Sequence, residues 1–314
     1  MREPLLLKGL DGGNPLGFLA ALGVLRASTL ACPDRKVRLF WSNSQGGWRP
    51  SLCLHGDMDL ETWLAGLDRF LNASNKEEAF FLADDLTVPI AIFRKAALAA
   101  VSKASLTERS YADFLAAFGS DAVQSEINGK KTGEVADTAL RTMSGAGHQH
   151  FLGFMRILIA DVQMEHLRKA IFDSWLYDDP LEKHTMRWDP VDDVRYALRW
   201  RNSSGDPERK KGGAVWGANR LAIEALPLLP TAPVNGRLET TGFIRRRGEG
   251  TIWSWPLWTI PLGLDTVRSL LALSELREAS PDRKRLAAIG VEEVYRSQRI
   301  TQGKYRNFTP ARPA

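Results

Sequence analysis

The chain has 314 residues, of which 44% are hydrophobic and 25% are charged, and this composition is typical of a globular protein and excludes a disordered one. No stretch reaches the about 18 uncharged apolar residues that a membrane-spanning helix needs, so the sequence predicts a cytoplasmic protein without a membrane partner. The net charge of +5 is polarised, because residues 181–314 hold 23 Lys and Arg against 15 Asp and Glu, whereas residues 1–180 hold 19 against 22.

The N-terminal 75 residues predict a strand, a helix and a hairpin. Asn14 and Pro15 are typical N-cap and N1 residues, and they predict the start of a helix rich in Leu, Ala and Gly that is mostly buried. The β-rich runs 37–42 and 48–55 flank a glycine-containing turn, which predicts a hairpin. The glycine-rich turn before the helix matches no nucleotide-binding loop motif, so a tight turn into a buried helix is favoured over phosphate binding.

Residues 76–180 predict a helical middle unit. Apolar residues recur there every three or four positions, which is the spacing of an amphipathic helix. The polar stretch 128–133 contains two glycines and two lysines, and we expect it to be an exposed loop. The predicted helices of this unit, together with one that precedes it, span residues 59–73, 91–102, 108–118, 134–143 and 151–175.

Residues 181–314 predict a basic, aromatic-rich α+β unit. Two β-rich runs, 237–246 and 251–255, predict a hairpin with Arg245, Arg246 and Arg247 at its tip. The remaining elements expected in this unit are a polar loop over 202–213, a helix over 265–276 and a strand over 290–300.

The sequence therefore predicts an α+β fold made of three units. These are an N-terminal strand-helix-hairpin unit (residues 1–75), a helical middle (residues 76–180) and a basic C-terminal α+β unit (residues 181–314). The pattern of elements leaves open whether the three units form one domain or several.

The C-terminal unit has the composition of a nucleic-acid-binding surface. Of its 23 cations, 18 are arginine, whose planar fork of donors fits phosphate and base edges. We expect one of the rings of Trp188, Trp200, Trp216 and Tyr305 to stack on an unpaired base. The predicted nucleic-acid-binding residues are Arg187, Arg195, Arg199, Arg201, Lys210, Lys211, Arg220, Arg245, Arg246, Arg247, Arg299, Lys304, Tyr305 and Arg306.

Two groups of residues are candidates for a metal-dependent nuclease. Clustered carboxylates can hold two Mg²⁺ ions for phosphodiester cleavage, and paired histidines can bind a metal. Salt bridges to the interleaved arginines explain the carboxylates without chemistry, and the histidines lack the remaining ligands of a zinc motif. Binding is therefore favoured over catalysis, and no catalytic residue, metal or cofactor is predicted. The candidates are Asp178, Asp179, Asp189, Asp192 and Asp193 for the first group and His148 and His150 for the second.

Several segments resemble a known family. The segment 10–26, LDGGNPLGFLAALGVLR, resembles the opening of CRISPR-associated proteins encoded beside type I-G (formerly I-U) effector genes. Similar blocks follow at 187–190 (RWDP), 195–199 (RYALR), 217–222 (GANRLA) and 305–310 (YRNFTP).

The resemblance implies a large-subunit-like or accessory protein of an RNA-guided antiviral complex. Its implied partners are target DNA, as a duplex motif or a displaced strand, guide RNA as a second nucleic acid, and the other effector subunits. The chain is short for a large subunit, so its place in such a complex is open. A structural subunit whose basic face meets an acidic protein is a further alternative.

Overall fold

The computed structural model describes residues 3–44, 46–73, 77–105, 108–143, 149–180, 183–192, 213–302 and 305–314. Its fold is α+β, which confirms the fold class predicted from the sequence. The helices in this part of the chain are α1 (Pro15–Ala31), α2 (Leu60–Ala73), α3 (Ile90–Lys103), α4 (Ser110–Phe118), α5 (Phe151–Asp161), α6 (Met164–Phe172), α7 (Trp216–Ile223), α8 (Leu264–Leu271) and α9 (Arg283–Ala288). None of these helices is long and apolar enough to cross a membrane.

The strands of the described residues pair antiparallel in four sheets, with the orders β1-β3-β2, β4-β5, β6-β7 and β8-β9-β10-β11. The short β12 pairs with β10 beside β11. The strands are β1 (Leu5–Leu6), β2 (Val37–Ser44), β3 (Gly47–Leu54), β4 (Gly119–Ile127), β5 (Lys130–Asp137), β6 (Thr231–Val234), β7 (Arg237–Thr240), β8 (Phe243–Arg246), β9 (Gly250–Trp258), β10 (Val291–Gln302), β11 (Tyr305–Phe308) and β12 (Arg312–Pro313).

Helix α1 begins where the sequence predicts. The side-chain oxygen of Asn14 accepts hydrogen bonds from the backbone N–H groups of Leu16 (2.8 Å) and Gly17 (3.2 Å), and Pro15 is the first helical residue. The helix is buried from Pro15 through Ser28. Because apolar residues cover every side of α1, the other elements can pack around it on all faces.

Helices α1 and α7 approach each other closely. A Cβ at Gly23 of α1 would overlap the backbone carbonyl oxygen of Leu221 in α7, so only glycine allows this spacing. One turn later, Arg26 forms an ion pair with Glu224, and Arg220 of α7 donates to the same carboxylate at 3.0 Å. These three side chains are only 3%, 1% and 2% exposed, respectively. Close packing and a buried charge network thus join the N-terminal helix to the C-terminal part of the chain.

The two larger sheets meet on the same core. The backbones of Leu39 in β2 and Leu262 exchange two hydrogen bonds of 2.9 and 3.0 Å. Phe18 of α1 stacks on Trp41 of β2 and Trp255 of β9, with ring centroids 5.8 and 5.6 Å apart. A single hydrophobic cluster therefore includes residues from all three predicted units.

The helix predicted over 134–143 is wrong, because the structure forms a β-hairpin from β4 and β5 instead. Asn128 and Gly129 form its two-residue turn, with φ angles of 51° and 75°. Such a turn follows the twist of antiparallel strands and favours Asn-Gly, so the predicted loop 128–133 is a turn followed by a strand.

The helix predicted over 151–175 is interrupted. Helix α5 ends at Asp161, and α6 begins at Met164 after the cap residue Gln163. The Gln163 side chain accepts from the backbone N–H at the third position of α6, and the Gln163 N–H donates to Nδ1 of His166 at 3.0 Å. This reciprocal cap starts a second helix, which the apolar periodicity alone does not reveal.

Replacing Gly23 with Ala is expected to destabilise the fold by about 3 kcal/mol, because the added methyl group overlaps backbone and forces α1 and α7 apart. Urea unfolding followed by circular dichroism measures this change. Gly66→Ala in α2 is the matched control, because a Cβ there meets nothing within 4 Å and alanine favours the helix by about 1 kcal/mol. Equal stability of the Gly23→Ala variant and the wild type would contradict the close approach.

Replacing Glu224 with Gln leaves the buried guanidinium groups of Arg26 and Arg220 without their carboxylate. We expect the free energy of unfolding to fall by about 3–5 kcal/mol. The same denaturation experiment on Glu61→Gln provides the control, because the ion pair of Glu61 with Arg168 is largely exposed and contributes little. Similar losses in the two variants would show that burial does not strengthen the network.

Candidate nucleic-acid interface

One face of the C-terminal sheet changes from aromatic to basic along its strands. Near the core, the rings of Phe243 and Trp253 lie 5.4 Å apart, and the rings of Trp253 and Phe308 lie 5.7 Å apart. Residues two positions apart on a strand point to the same face, so Arg245 follows Phe243 and Arg306 precedes Phe308 on this face. The face that packs on the core therefore continues outward as a basic surface.

This basic surface forms one wall of a cleft of about 640 Å³. Four arginines line it, namely Arg237, Arg245, Arg299 and Arg306, and we call it the arginine cleft. The hairpins β4-β5 and β6-β7 form its other walls. The backbone N–H of Ala139 donates to the hydroxyl of Thr240 at 2.9 Å, which joins the ends of the two hairpins.

Within the part of the chain that the structure describes, the cations at the rim of the arginine cleft have no acidic partner. Arg237 and Arg245 are exposed, as is Arg247 in the turn between β8 and β9, and none of the three takes part in an ion pair within the described residues. Two carboxylates also line the walls beside these arginines: Glu239, which is 3.6 Å from Arg277, and the exposed Glu126 of β4, which forms no ion pair with them within the described residues. These guanidinium groups are available to an external anion.

Arg299 lies deeper in the cleft and is only partly exposed. Its Nη2 donates to the backbone carbonyl of Arg141 at 2.7 Å, and its Nε is buried without a hydrogen-bond partner among the described residues. Burial, followed by the charge of Arg306, lowers the pKa of Arg299 to about 10. The surroundings of Arg299 thus disfavour its charged form.

Arg306 lies beside Arg299 on the neighbouring strand. Its Nη1 is 3.9 Å from Oδ1 of Asp137, too far for a hydrogen bond, and this nitrogen is buried without a hydrogen-bond partner in the described part of the chain. The other carboxylate oxygen of Asp137, Oδ2, accepts a hydrogen bond from Arg141, which also donates to Oδ2 of Asp85 at 2.6 Å. Asp137 is therefore shared with a third arginine and does not neutralise both cleft arginines.

Arg246 points to the other face of the sheet and does not line the arginine cleft. Its Nη2 donates to the carbonyl of Arg277 at 2.9 Å, and its Nη1 is 3.6 Å from Glu249. Because neighbouring residues on a strand alternate between faces, the three consecutive arginines at the hairpin tip cannot act as one group.

Arg220 is corrected from a predicted contact residue to a structural one. It is 2% exposed, and besides Glu224 it donates to the backbone carbonyl of Leu71 at 2.9 Å. A nucleic acid cannot reach this guanidinium in the folded protein. Arg187 is partly buried, adopts a φ of 56° and does not line the arginine cleft.

The other predicted contact residues lie outside the described residues, except Tyr305. The backbone of Tyr305 pairs with Gln302 at the start of β11. The residues outside the described ranges are Arg195, Arg199, Arg201, Lys210, Lys211 and Lys304.

Two of the four rings predicted as candidates for base stacking pack against other residues of the protein. Trp188 is fully buried and donates from Nε1 to the carbonyl of Leu140 at 2.9 Å. Trp216 stacks on His184, with ring centroids 3.8 Å apart and nearly parallel planes. Trp200 lies outside the described residues.

Three of the five candidate nuclease carboxylates have structural partners. Asp189 is 1% exposed and accepts hydrogen bonds from Tyr177 and Asn14, at 2.9 and 3.2 Å. Asp178 pairs with Lys169 at 2.6 Å, and Asp179 accepts from the backbone N–H at the start of α7 at 2.9 Å. Within the described ranges, no three His, Cys, Asp or Glu side chains come together as a metal site would require.

Of the four remaining nuclease candidates, two lie within the described residues and two lie outside them. His150 is the residue before α5, and the backbone of Asp192 ends the short 3₁₀ turn Pro190–Asp192. His148 and Asp193 lie outside the described residues.

Arg237 is a cleft residue that the sequence reading missed. Asn235 and Gly236, with φ angles of 49° and 74°, form the turn between β6 and β7, and Arg237 is the first residue after it. An Asn-Gly pair between short β-rich runs is a strong hairpin signal, so the sequence contained the information.

Comparisons with known proteins assign neither a family nor a function to this chain. No protein-family model matches this chain, and no curated protein matches its sequence.

Proposed function

We propose that the protein is a non-catalytic, nucleic-acid-binding subunit of a type I CRISPR RNA-guided antiviral complex. In this proposal the arginine cleft and the adjacent turn between β8 and β9 contact target DNA. The segments 10–26, 187–190, 195–199, 217–222 and 305–310 support the link to such a complex by resemblance, and the cleft supports the mode of binding.

The observation that carries the proposal is the grouping of four arginines, two of them exposed and without an ion pair in the described residues, around one cleft. Elsewhere on the surface, some exposed arginines pair with carboxylates, such as Arg94 with Asp121 at 2.7 Å and Arg109 with Asp113 at 2.9 Å. The exposed Arg38 and Arg69 form no ion pair within the described residues, but they lie apart from each other, on β2 and α2. The exposed arginines at the cleft rim form no such pair within the described residues. A concave surface that collects unpaired cations raises the local concentration of a polyanion.

Arginine also suits this task by its shape. A guanidinium group offers five N–H donors in one plane, and it binds phosphate oxygens in a fork or stacks on a base. Contacts of this kind position a nucleic acid without reading its sequence. The proposed mechanism is therefore capture, in which electrostatic attraction brings the strand to the cleft and several arginines hold its phosphates.

The double variant Arg245→Ala/Arg247→Ala is expected to weaken binding at least about tenfold and to reduce the slope of log K against log salt by about 2, because two phosphate contacts are lost. Fluorescence anisotropy with labelled duplex DNA, single-stranded DNA and RNA, each across a salt series, measures both quantities and shows which form binds best. The same samples with Mg²⁺, run on a denaturing gel, should contain intact strands.

The matched control is Arg38→Ala/Arg69→Ala, which removes the same charge from exposed positions on β2 and α2. Wild-type affinity in this control would assign the loss to the cleft rather than to net charge. Equal weakening in both double variants would contradict the cleft as the binding surface. Strand cleavage that requires Mg²⁺ would contradict the non-catalytic role and favour the nuclease alternative.

Tight salt-insensitive assembly with an acidic protein, together with no nucleic-acid binding at low salt, would favour the structural-subunit alternative. The polarised charge would then serve a protein contact.

A further inference from the structure

The base of the arginine cleft contains more positive charge than its carboxylates neutralise. Three guanidinium groups, those of Arg141, Arg299 and Arg306, surround it together with the carboxylates of Asp85 and Asp137. Arg141 forms ion pairs with both carboxylates. Among the described residues, Arg299 and Arg306 are left with one long acidic contact, the 3.9 Å between Arg306 and Asp137, so this cluster holds an excess positive charge.

The hydrogen bonding of Arg299 and Arg306 is also incomplete within the described residues. Nε of Arg299 and Nη1 of Arg306 are buried and have no hydrogen-bond partner among the described residues. A buried N–H group without an acceptor destabilises the folded state, so an unpaired donor on each of two neighbouring arginines calls for an explanation. Burial lowers the pKa of Arg299, which agrees with a cation that lacks a compensating anion.

The neighbouring strands place two more hydrogen-bond donors on the same face of the sheet as Arg299. Thr251 of β9 is directly opposite Arg245 of β8 on one side and Arg299 of β10 on the other. These three residues therefore point to the same face of the sheet, in one row across three strands. The hydroxyl of Thr251 and the guanidinium group of Arg245 thus line the same cleft as Arg299 and Arg306.

We propose that Arg299 and Arg306 form a binding site for one phosphate group at the base of the arginine cleft. A phosphate carries the negative charge that the cluster lacks, and its several oxygens accept from two guanidinium forks at once. A guanine edge also accepts from an arginine fork, but it is uncharged and would leave the excess positive charge in place. The chemistry of the site therefore selects phosphate over a base.

The source of the phosphate follows from the proposed function, on which this part of the inference rests. A backbone phosphate of a captured strand would occupy the base of the cleft, while Arg245 and Arg237 would hold the neighbouring phosphates at the rim. Free inorganic phosphate has the same chemistry and serves as the probe of the site itself.

The first experiment compares thermal unfolding in low-millimolar sodium phosphate with unfolding in sodium chloride of equal ionic strength. We expect phosphate to raise the Tm of the wild type by a few degrees, because a ligand that binds only the folded state stabilises it. The rise should be lost in Arg299→Gln and in Arg306→Gln. It should persist in Arg312→Gln, which removes an exposed arginine from β12 on the same sheet.

The variants also test whether Arg299 and Arg306 are merely structural. In chloride, we expect Arg299→Gln to melt no lower than the wild type, because it removes a partly buried cation whose charged form burial disfavours, and this gain offsets the lost hydrogen bond to the Arg141 carbonyl. A lower Tm for both Arg299→Gln and Arg306→Gln would overturn the proposal, because it would show that these arginines hold the fold together. A phosphate response that is equal in all variants would also overturn it, since it would reflect a general salt effect.

The second experiment measures anisotropy of labelled strands with the same variants and with inorganic phosphate as a competitor. We expect Arg299→Gln to weaken binding about tenfold and to lower the salt slope by about 1. If Arg245→Ala/Arg247→Ala weakens binding but Arg299→Gln does not, the phosphate site is overturned and the proposed function stands. If phosphate raises the Tm through Arg299 but no strand binds, the phosphate site stands and the proposed function is overturned.

Discussion

The close approach of α1 and α7 is the constraint on which the rest of the structure depends. Gly23 lets the two backbones pack without an intervening side chain, and the buried network of Arg26, Glu224 and Arg220 forms beside this contact. Such a network stabilises the fold only while all its members are present, because a lone buried charge is costly. The contact thus makes the position of α7 dependent on α1, although about 190 residues separate them in the sequence.

The aromatic core connects helix α1 to the C-terminal sheet. Phe18 of α1 packs between Trp41 of β2 and Trp255 of β9, so the sheet that bears the arginine cleft rests on the same helix. On β8 and β11 the apolar residues stop where the core stops, and an arginine continues on the same face. A rigid sheet can hold cations close to one another that would separate on a flexible loop, and this is the property that a binding site for a polyanion needs.

Two groups of arginines in this protein differ in burial and in their partners. Arg26, Arg141 and Arg220 are buried and bound to carboxylates, which makes them part of the fold. Those of the arginine cleft are exposed or partly exposed and are poorly matched with acidic groups. The number of arginines in the C-terminal part therefore overstates the binding surface, and the pairing of each guanidinium separates one group of arginines from the other.

Local signals in the sequence determined much of the fold. The Asn14 cap, the amphipathic helix α2, the hairpin β2-β3 and the hairpin carrying Arg245 follow from capping, periodicity and turn chemistry, which act over a few residues. The helix predicted over 134–143 failed although Asn128-Gly129 was a hairpin signal, because the short apolar pattern also fitted a helix and the strand pairing decided between them.

The charge polarity and the abundance of arginine in residues 181–314 were likewise evident from the sequence. Only the tertiary structure decided that Arg220 is buried against Glu224, that Arg246 faces away from Arg245, and that Arg299 meets Arg306 and Asp137. Composition states how many cations a chain carries, whereas pairing and burial depend on contacts between residues far apart in sequence. That is the physical reason why the sequence indicated a polyanion partner but could not identify the residues that would hold it.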